Sequence, residues 1–353
     1  MNKKTRLSFL VLIVMITVSL SAEDAEKSRA GQVTFFYPMG TNGTESMEYT
    51  NSFSLNMVYG MNGGVDAFEL GGVGNFNTHD VSGMQIAGVS NINMEETRGF
   101  QFAGVSNTNF GDSTGLIWSG TLNSVFGDSK GVLVSTINVT TGEMRGLQVG
   151  TLNYAARSKG IQLGVINVAA EGSDSLPIGL ISIIKGGYYA IEASAGEALY
   201  GNLSYKMGVE RFYTIFKIGG SLVDGPSFIE GDTFDKNDLI LSYGLGWGSL
   251  IPLSGHNKLA IEVSSSKIVS NNNWDNEDEE VNFLNKLDIN CHIGLGDHLS
   301  IFAGPSFNVY VADEIMGDEE GSLPIPYTFF DESYEGTQVQ MWVGGNVGIT
   351  YSF

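Results

Sequence analysis

Residues 343–353 alternate strictly between apolar residues and small or polar ones. Val343, Val347, Ile349, Tyr351 and Phe353 share one face with a glycine, and the residues between them are glycine, asparagine, threonine and serine. Because side chains along a strand point to opposite faces, this segment predicts a strand with one apolar and one polar wall. Such a strand is typical of a transmembrane β-barrel, and a strand of a soluble β-sandwich is the alternative.

The C-terminal part of the chain predicts a set of such strands. They are expected at 188–196, 199–207, 211–222, 239–248, 259–268, 287–296, 299–311 and 339–353. Long connections alternate with short ones, and acidic residues cluster at 231–238, 271–280, 313–320 and 331–335. Since barrels of this kind have short periplasmic turns and long outer loops, these acidic segments are expected on the outer side.

Charged and polar residues recur on the polar faces of these strands. A basic residue turned toward lipid at mid-membrane would cost roughly 2–4 kcal/mol, so these faces are expected to line the lumen. Both an open conduit and a filled interior fit this pattern. The lumen candidates are Glu192, Lys206, Lys217, Glu262, Asp288 and His292.

The N-terminal residues and the composition predict an exported membrane protein. Lys3, Lys4 and Arg6 precede an apolar run at 7–20, which predicts a signal peptide over 1–22, and a membrane-anchoring helix is the alternative. No later apolar run is long enough for a spanning helix, so a closed barrel is the arrangement that satisfies backbone hydrogen bonds in lipid. The net charge of −21 argues against nucleic acid as a partner. Cys291 is the single cysteine, so no internal disulfide can form.

Residues 66–185 form a tandem repeat. Related segments begin at glycines spaced 16, 16, 16, 15 and 14 residues apart, from Gly83 to Gly160, with a degenerate copy at Ala67 and a terminal one at Pro177. Each unit carries recurrent amide side chains. The repeated polar positions are Gln85, Asn91, Gln101, Asn107, Asn123, Asn138, Gln148, Asn153, Gln162 and Asn167.

Two architectures fit this period. In antiparallel hairpins Asn91 would face Gln101, whereas in a parallel solenoid equivalent residues would stack and Asn91 would lie beside Asn107. A ten-residue strand covers roughly 33 Å and a six-residue linker returns only about 20 Å, which favours hairpins. A solenoid would need a sharp corner inside each unit, for which Ala87-Gly88 and Ala103-Gly104 are candidates.

The fold predicted is therefore an all-β, antiparallel outer-membrane barrel of about 18 strands. Its parts are the signal peptide, N-terminal strands over 23–65, the repeat region over 66–185 and C-terminal barrel strands over 186–353. The alternative is a repeat β-solenoid followed by an eight-stranded barrel over the C-terminal part, since eight strands can close alone.

Catalytic patterns are weak in this sequence. The four histidines, which include His292 and His298, show no metal-ligand spacing. A Gly-Asp-Ser triplet occurs at 111–113 and again at 127–129, but both copies occupy the repeat linker, where turn chemistry favours these residues. No enzyme activity, cofactor or metal is expected.

Several motifs carry a resemblance to a known family. They are Asn51-Ser-Phe-Ser-Leu-Asn56, 62–72, the G-x-Q-x-A-G repeats, Arg211-Phe-Tyr213, Phe302-Ala-Gly-Pro305 and Asn308-Val-Tyr-Val311. With them the chain resembles the outer-membrane "surface repeat" proteins of Gram-negative bacteria, over most of the mature sequence. Phe353, Tyr351 and Ile349 also resemble the C-terminal signal by which outer-membrane barrels are inserted. Leu116-Ile117 and Val132-Leu133 depart from the repeat, so two central units are expected to pack differently.

The resemblance implies an outer-membrane location and a repeat architecture but no reaction. The function expected is a non-enzymatic structural or surface component, with a porin-like channel for small solutes and a surface adhesin as alternatives. Expected partners are outer-membrane lipid, the barrel-assembly machinery, and an extracellular ligand or small solute.

Overall fold

The computed structural model describes residues 27–171, 174–222, 239–270, 282–313, 327–334 and 336–353. The predicted signal peptide and the acidic segments 231–238 and 271–280 lie outside these residues. Two compact units make up the chain, Met1–Gly104 and Val105–Phe353. Across the described ranges, no helix has the length and hydropathy needed to cross a membrane.

The first unit is built from parallel β-coils. Its strands are β1 (Lys27–Phe36), β2 (Met39–Gly40), β3 (Tyr49–Asn62), β4 (Gly64–Gly71), β5 (Gly74–Asn77), β6 (Val81–Ala87), β7 (Ser90–Asn93) and β8 (Thr97–Ala103), with a 3-10 helix at Gly43–Glu48. The ladder β1–β3–β4–β6–β8 is parallel throughout, and so is the ladder β3–β5–β7. The N-terminal strands predicted over 23–65 are thus present as β1 and β3, which pair in parallel with each other rather than as an antiparallel hairpin.

The second unit begins with further coils of the same kind. Their strands are β9 (Ser106–Asn109), β10 (Ser113–Ser119), β11 (Leu122–Val125), β12 (Ser129–Val134), β13 (Ile137–Val149), β14 (Leu152–Ser158), β15 (Ile161–Leu163), β16 (Ile166–Glu171), β17 (Leu176–Ile178) and β18 (Ile181–Ile184). Successive coils pair in parallel with equivalent residues in register, as in Asn107 with Asn123 and Asn123 with Asn138.

The hairpin interpretation of the repeats is therefore wrong, and with it the barrel of eighteen antiparallel strands. Within the first unit Gln85 pairs with Gln101 and Asn75 with Asn91, one full repeat apart. The argument from linker length assumed one ten-residue strand in each repeat. Each repeat instead consists of two shorter strands joined by a corner, so the chain reverses direction inside the repeat and the linker does not have to span a full strand. The solenoid followed by an eight-stranded barrel is confirmed as the fold.

Glycine makes this corner possible. A Cβ on Gly88 would lie 2.1 Å from the carbonyl oxygen of Gly72 in the coil before, which is closer than any side chain tolerates. Gly83, which opens its repeat, is required for a different reason. Its backbone φ is +96°, a region that L side chains rarely enter. The period of the repeat is therefore fixed by backbone contact between coils.

The rest of the second unit is a closed antiparallel barrel. Its strands are β19 (Tyr188–Gly196), β20 (Gly201–Val209), β21 (Phe212–Leu222), β22 (Leu239–Pro252), β23 (Lys258–Ser270), β24 (Asn282–Gly294), β25 (Leu299–Asp313), β26 (Phe330–Tyr334) and β27 (Thr337–Ser352). From β19 to β25 each strand pairs with the next, and β27 closes the ring of eight by pairing with both β25 and β19. The short strand β26 pairs only with the first part of β27. These strands match the eight predicted ones to within a few residues.

The barrel has two distinct ends. Connections at 210–211, 253–257 and 295–298 lie at one, here called the short-turn end, where Phe353 donates its backbone N–H to Tyr189. The connection at 197–200 and the strand ends Leu222, Leu239, Ser270 and Asn282 lie at the other, here called the loop end.

The last coil of the second unit packs against the outside of the barrel. Thr214 Oγ1 and Trp247 Nε1 both donate to the carbonyl oxygen of Gly179, at 2.9 and 3.4 Å. Further toward the short-turn end, Ile184 packs with Val209. The barrel wall thus covers the end of the coil stack that would otherwise expose backbone groups.

Candidate functional sites

The repeated amides form ladders inside the coils. In the second unit Asn107, Asn123, Asn138 and Asn153 each donate from Nδ2 to Oδ1 of the next asparagine, at 3.0 to 3.1 Å. Gln162 donates to Gln148 at 2.9 Å, and in the first unit Gln101 donates to Gln85 at 2.9 Å. All ten repeated polar positions named above are buried. Buried amides of this kind stabilise a fold only when their partners are present, and the stacking of identical repeats supplies those partners.

The same asparagines also bind the backbone corner of the following coil. Asn138 Nδ2 donates to the carbonyl oxygen of Val149 at 2.9 Å, and Asn153 donates to Leu163 at 3.0 Å. Asn167 repeats the contact with Ile178 at 3.0 Å. Each of these corner carbonyls also accepts a backbone N–H from the coil before, Ser135 to Val149, Gly150 to Leu163 and Gly164 to Ile178, so the asparagine supplies a second donor.

A buried carboxylate interrupts the amides of the first unit. Glu69 is fully buried, pairs in register with Gln85, and accepts hydrogen bonds from Asn56, Asn62, Asn77 and Gln85 at 2.6 to 3.0 Å. Burial raises the pKa of Glu69 to about 7, against the opposing effect of these hydrogen bonds. Sequence inspection missed this site, although Glu69 stands sixteen residues before Gln85 in the degenerate repeat.

The two departures from the repeat pack differently, as the sequence predicts. Ile117 pairs in register with Leu133, and Leu133 with Gln148, so both occupy the glutamine position. They form an apolar cluster with Val125, Met144 and Ala155 inside the coils. At the glutamine position the interior of the second unit thus changes from apolar to amide, while the asparagine ladder continues beside it.

The six lumen candidates are all buried inside the barrel. Lys206 Nζ lies 2.6 Å from Glu192 Oε2 and 2.6 Å from Glu262 Oε1. Thr350 donates to Glu192 at 2.8 Å, and Tyr213 donates its hydroxyl proton to Glu262. Strands on different sides of the ring are thereby joined across the lumen.

The remaining candidates extend this network. Asp288 lies 3.6 Å from Lys286, a lysine that is also buried, and His292 stacks on Phe302 with ring centroids 4.7 Å apart. Across the described part of the barrel, the buried charges comprise three lysines and three carboxylates. This balance reduces the cost of holding charge away from water.

Apolar clusters fill the lumen at either end of the charged network. At the loop end Trp342 packs with Leu199 and Ile240, and its indole N–H donates to Glu197 at 2.9 Å. At the short-turn end Tyr188, Tyr213 and Leu250 pack together. The cavity beside the charged network has a volume of about 10 Å³, room for no more than a single water molecule. Sequence inspection missed these clusters, because they bring together residues on distant strands.

The outer wall of the barrel is apolar and exposed. Tyr243, Leu245 and Trp247 on β22 are 58%, 41% and 50% exposed, whereas Ile240 and Ser242 on the other face of the same strand are buried. The three residues of the predicted insertion signal, Ile349, Tyr351 and Phe353, continue this wall on β27. Shallow depressions in it, one of about 850 Å³ beside Leu203, Phe216 and Tyr243, are also lined by apolar side chains.

Within the described ranges, no three side chains of His, Cys, Asp or Glu converge as a metal site. The Gly-Asp-Ser triplets lie in the linkers between coils, and Asp112 Oδ1 accepts the backbone N–H of Asp128 in the next coil, at 2.7 Å. This hydrogen bond joins one turn of the stack to the next, which is a structural role.

Comparison with family models, curated proteins and solved structures gives no match to this chain. The functional conclusion therefore depends on the geometry of the barrel and the coils.

Proposed function

We propose that this protein is a non-enzymatic structural component of the outer membrane of a Gram-negative bacterium, exported by its N-terminal segment and anchored by the eight-stranded barrel. The observation that carries the proposal is the inversion of the barrel, whose buried side is polar and charged while its exposed side is apolar. In water this arrangement would expose a large apolar surface, whereas in lipid the same surface is solvated. The similarity to surface repeat proteins adds support to the location.

The filled interior supports an anchoring role over a conduit for solutes. The ion pairs of Lys206 lie between two apolar clusters, and the cavity beside them is no larger than a water molecule. Small barrels of eight strands are commonly filled by their own side chains. The outer-membrane lipid and the barrel-assembly machinery are the partners that such a protein requires.

The proposal is tested by separating the cell envelope after expression of the full chain in a Gram-negative host. We expect the mature protein in the dense outer-membrane fraction, resistant to alkaline extraction and soluble only with detergent. A mature protein that is recovered from the periplasm without detergent would refute the proposal.

A further inference from the structure

The coils of the second unit carry the same inversion as the barrel. Their buried positions hold asparagine, glutamine and serine as well as the Ile117 cluster, while most outward positions are apolar. On the longer strands these apolar residues are Leu116, Trp118, Val132, Val134, Leu147, Val149, Ile161, Leu163, Leu176 and Ile178. On the shorter strands they are Leu122, Ile137, Val139, Leu152, Tyr154, Ile166, Val168, Ile181 and Ile183, and the polar outward residues there are Ser106, Thr108 and Ser124.

Charge is confined to one edge of these coils. Lys130 pairs in register with Arg145, and Glu143 with Arg157, so the charged residues stack at the linker edge. Among the described residues, the charged edge consists of Asp112, Asp128, Lys130, Glu143, Arg145, Arg157, Lys159, Glu171 and Asp174. The opposite edge, here called the tip, is formed by Gly120-Thr121, Ser135-Thr136, Gly150-Thr151, Gly164-Val165 and Gly179-Leu180. Apolar faces that end in one charged edge are the pattern of a segment that enters a membrane from one side.

The contact with the barrel sets the depth of the tip. Gly179 lies against Thr214 and Trp247 on the outer wall, within the apolar surface that the proposed function places in lipid. The last coil runs from its tip at Gly179 toward the short-turn end of the barrel. This direction follows from Ile184, which lies near the charged edge of the coil and packs on Val209 at the short-turn end. The charged edge is therefore level with the short-turn end of the barrel, the periplasmic end by the usual arrangement of short turns.

The dimensions and the hydrogen bonds fit a single leaflet. From Leu116 to Thr121 the coil extends roughly 16 Å at 3.3 Å per residue, against about 15 Å for half of a hydrocarbon core. Backbone groups at the tip are satisfied within the protein: Thr151 N–H donates to Thr136 at 2.9 Å, and Asn138 donates to Val149. Such internal satisfaction is what hydrocarbon requires of non-helical backbone.

From these observations we infer that the coils over 105–184 are immersed in the periplasmic leaflet beside the barrel, with their apolar faces against lipid acyl chains and their charged edge among the head groups. The inference rests on the proposed function, since it needs the barrel to span the membrane. It assigns the repeat region to the lipid phase rather than to an exposed surface domain.

Fluorescent labels at single cysteines test this placement. The background is the full-length protein carrying Cys291→Ala, which has no cysteine. Four variants each add one cysteine to it: Val165→Cys and Leu163→Cys on the coils, Lys159→Cys on the charged edge, and Val347→Cys on the barrel wall. All four positions are exposed, so the label should not disturb the core. Each labelled protein is placed in phosphatidylcholine vesicles, with either brominated acyl chains in the lipid or iodide in the water as the quencher.

We expect labels at 165, 163 and 347 to be quenched by the brominated chains and to be several-fold less sensitive to iodide than the label at 159. Iodide sensitivity at 165 and 163 equal to that at 159, with 347 still protected, would overturn the inference and leave the proposed function standing. Protection of 165 and 163 from both quenchers would also overturn it, because a second protein copy would then cover the coils. Iodide sensitivity at 347 would refute the membrane barrel itself.

Discussion

Replacement of Glu69 by glutamine should make the first unit more stable at neutral and alkaline pH. Glu69 pairs in register with Gln85, which in turn pairs with Gln101, so Glu69→Gln extends an existing amide ladder by one step. The carboxylate is fully buried, and its hydrogen bonds come from neutral amides. Glutamine keeps the shape of the side chain and removes the desolvation cost of the charge. We expect this gain to outweigh the two hydrogen bonds that one carboxylate oxygen accepts and that an amide NH2 group cannot.

The pH dependence follows from the pKa of Glu69, which burial raises from 4.5 to about 7. Below pH 4.5 the carboxyl is neutral in both the folded and the unfolded state, and the contribution of this group to stability is complete. Between pH 4.5 and 7 the folded state binds more protons, so stability falls as the pH rises. The difference of two and a half pKa units corresponds to about 3 kcal/mol, an order-of-magnitude value, at pH 8.

Hydrogen exchange of the full-length protein measures this effect. In peptides covering β4–β6, corrected for the intrinsic exchange rate, the wild-type protection should fall on the order of a hundredfold from pH 5 to pH 8. The Glu69→Gln protein should show little change. Asp66→Asn makes the same chemical change at an exposed position on β4 and should behave as wild type. Equal pH dependence in wild type and Glu69→Gln would refute the reasoning.

Three further predictions concern the interiors of the coils and the barrel. Lys206→Met leaves Glu192 and Glu262 buried without a cation and should destabilise the barrel by about 3–5 kcal/mol in urea unfolding. The triple variant that combines Lys206→Met with Glu192→Gln and Glu262→Gln should recover most of this loss. An unchanged urea midpoint in the single variant would contradict a stabilising role of the ion pairs. Asn138→Ala removes the side-chain donor to Asn153 Oδ1 and one of the two donors to the Val149 carbonyl. It should cost about 1–3 kcal/mol, seen as faster hydrogen exchange in β13 and β14 than in Ser124→Ala. In planar bilayers the purified protein should give no conductance steps, whereas reproducible steps would show that the lumen opens.

The sequence predicts the barrel well because its physical signal is strong. Alternation of Tyr243, Leu245 and Trp247 with small inward residues fixes both the strand and the side that is buried, since a shift by one residue would invert every side chain. The charged residues Lys206 and Glu262 mark the same inner side. Their exact partners could not be predicted, because Lys206 reaches a strand that is 56 residues away along the chain.

The repeats are harder to interpret, because hairpins and coils have the same alternation. Gln85 and Asn91 are buried in either arrangement, and only the corner at Gly88 distinguishes them. That corner needs glycine because a Cβ on residue 88 would lie 2.1 Å from the carbonyl oxygen of Gly72 in the coil before, a constraint that no local pattern contains. Trp342 is a second example: its position on the polar face predicts the lumen, but not the cluster with Ala198 and Leu199 that fills the loop end.

The claim that matters most is that the outer wall of the barrel meets hydrocarbon, and one variant tests it directly. Val263 lies in the middle of β23 and is 53% exposed, and Asp297 lies in a turn with its side chain 88% exposed. In lipid vesicles Val263→Arg should destabilise the folded protein by roughly 2–4 kcal/mol in denaturant unfolding, while Asp297→Arg should have little effect. Equal stability of the two variants would contradict a membrane-spanning barrel.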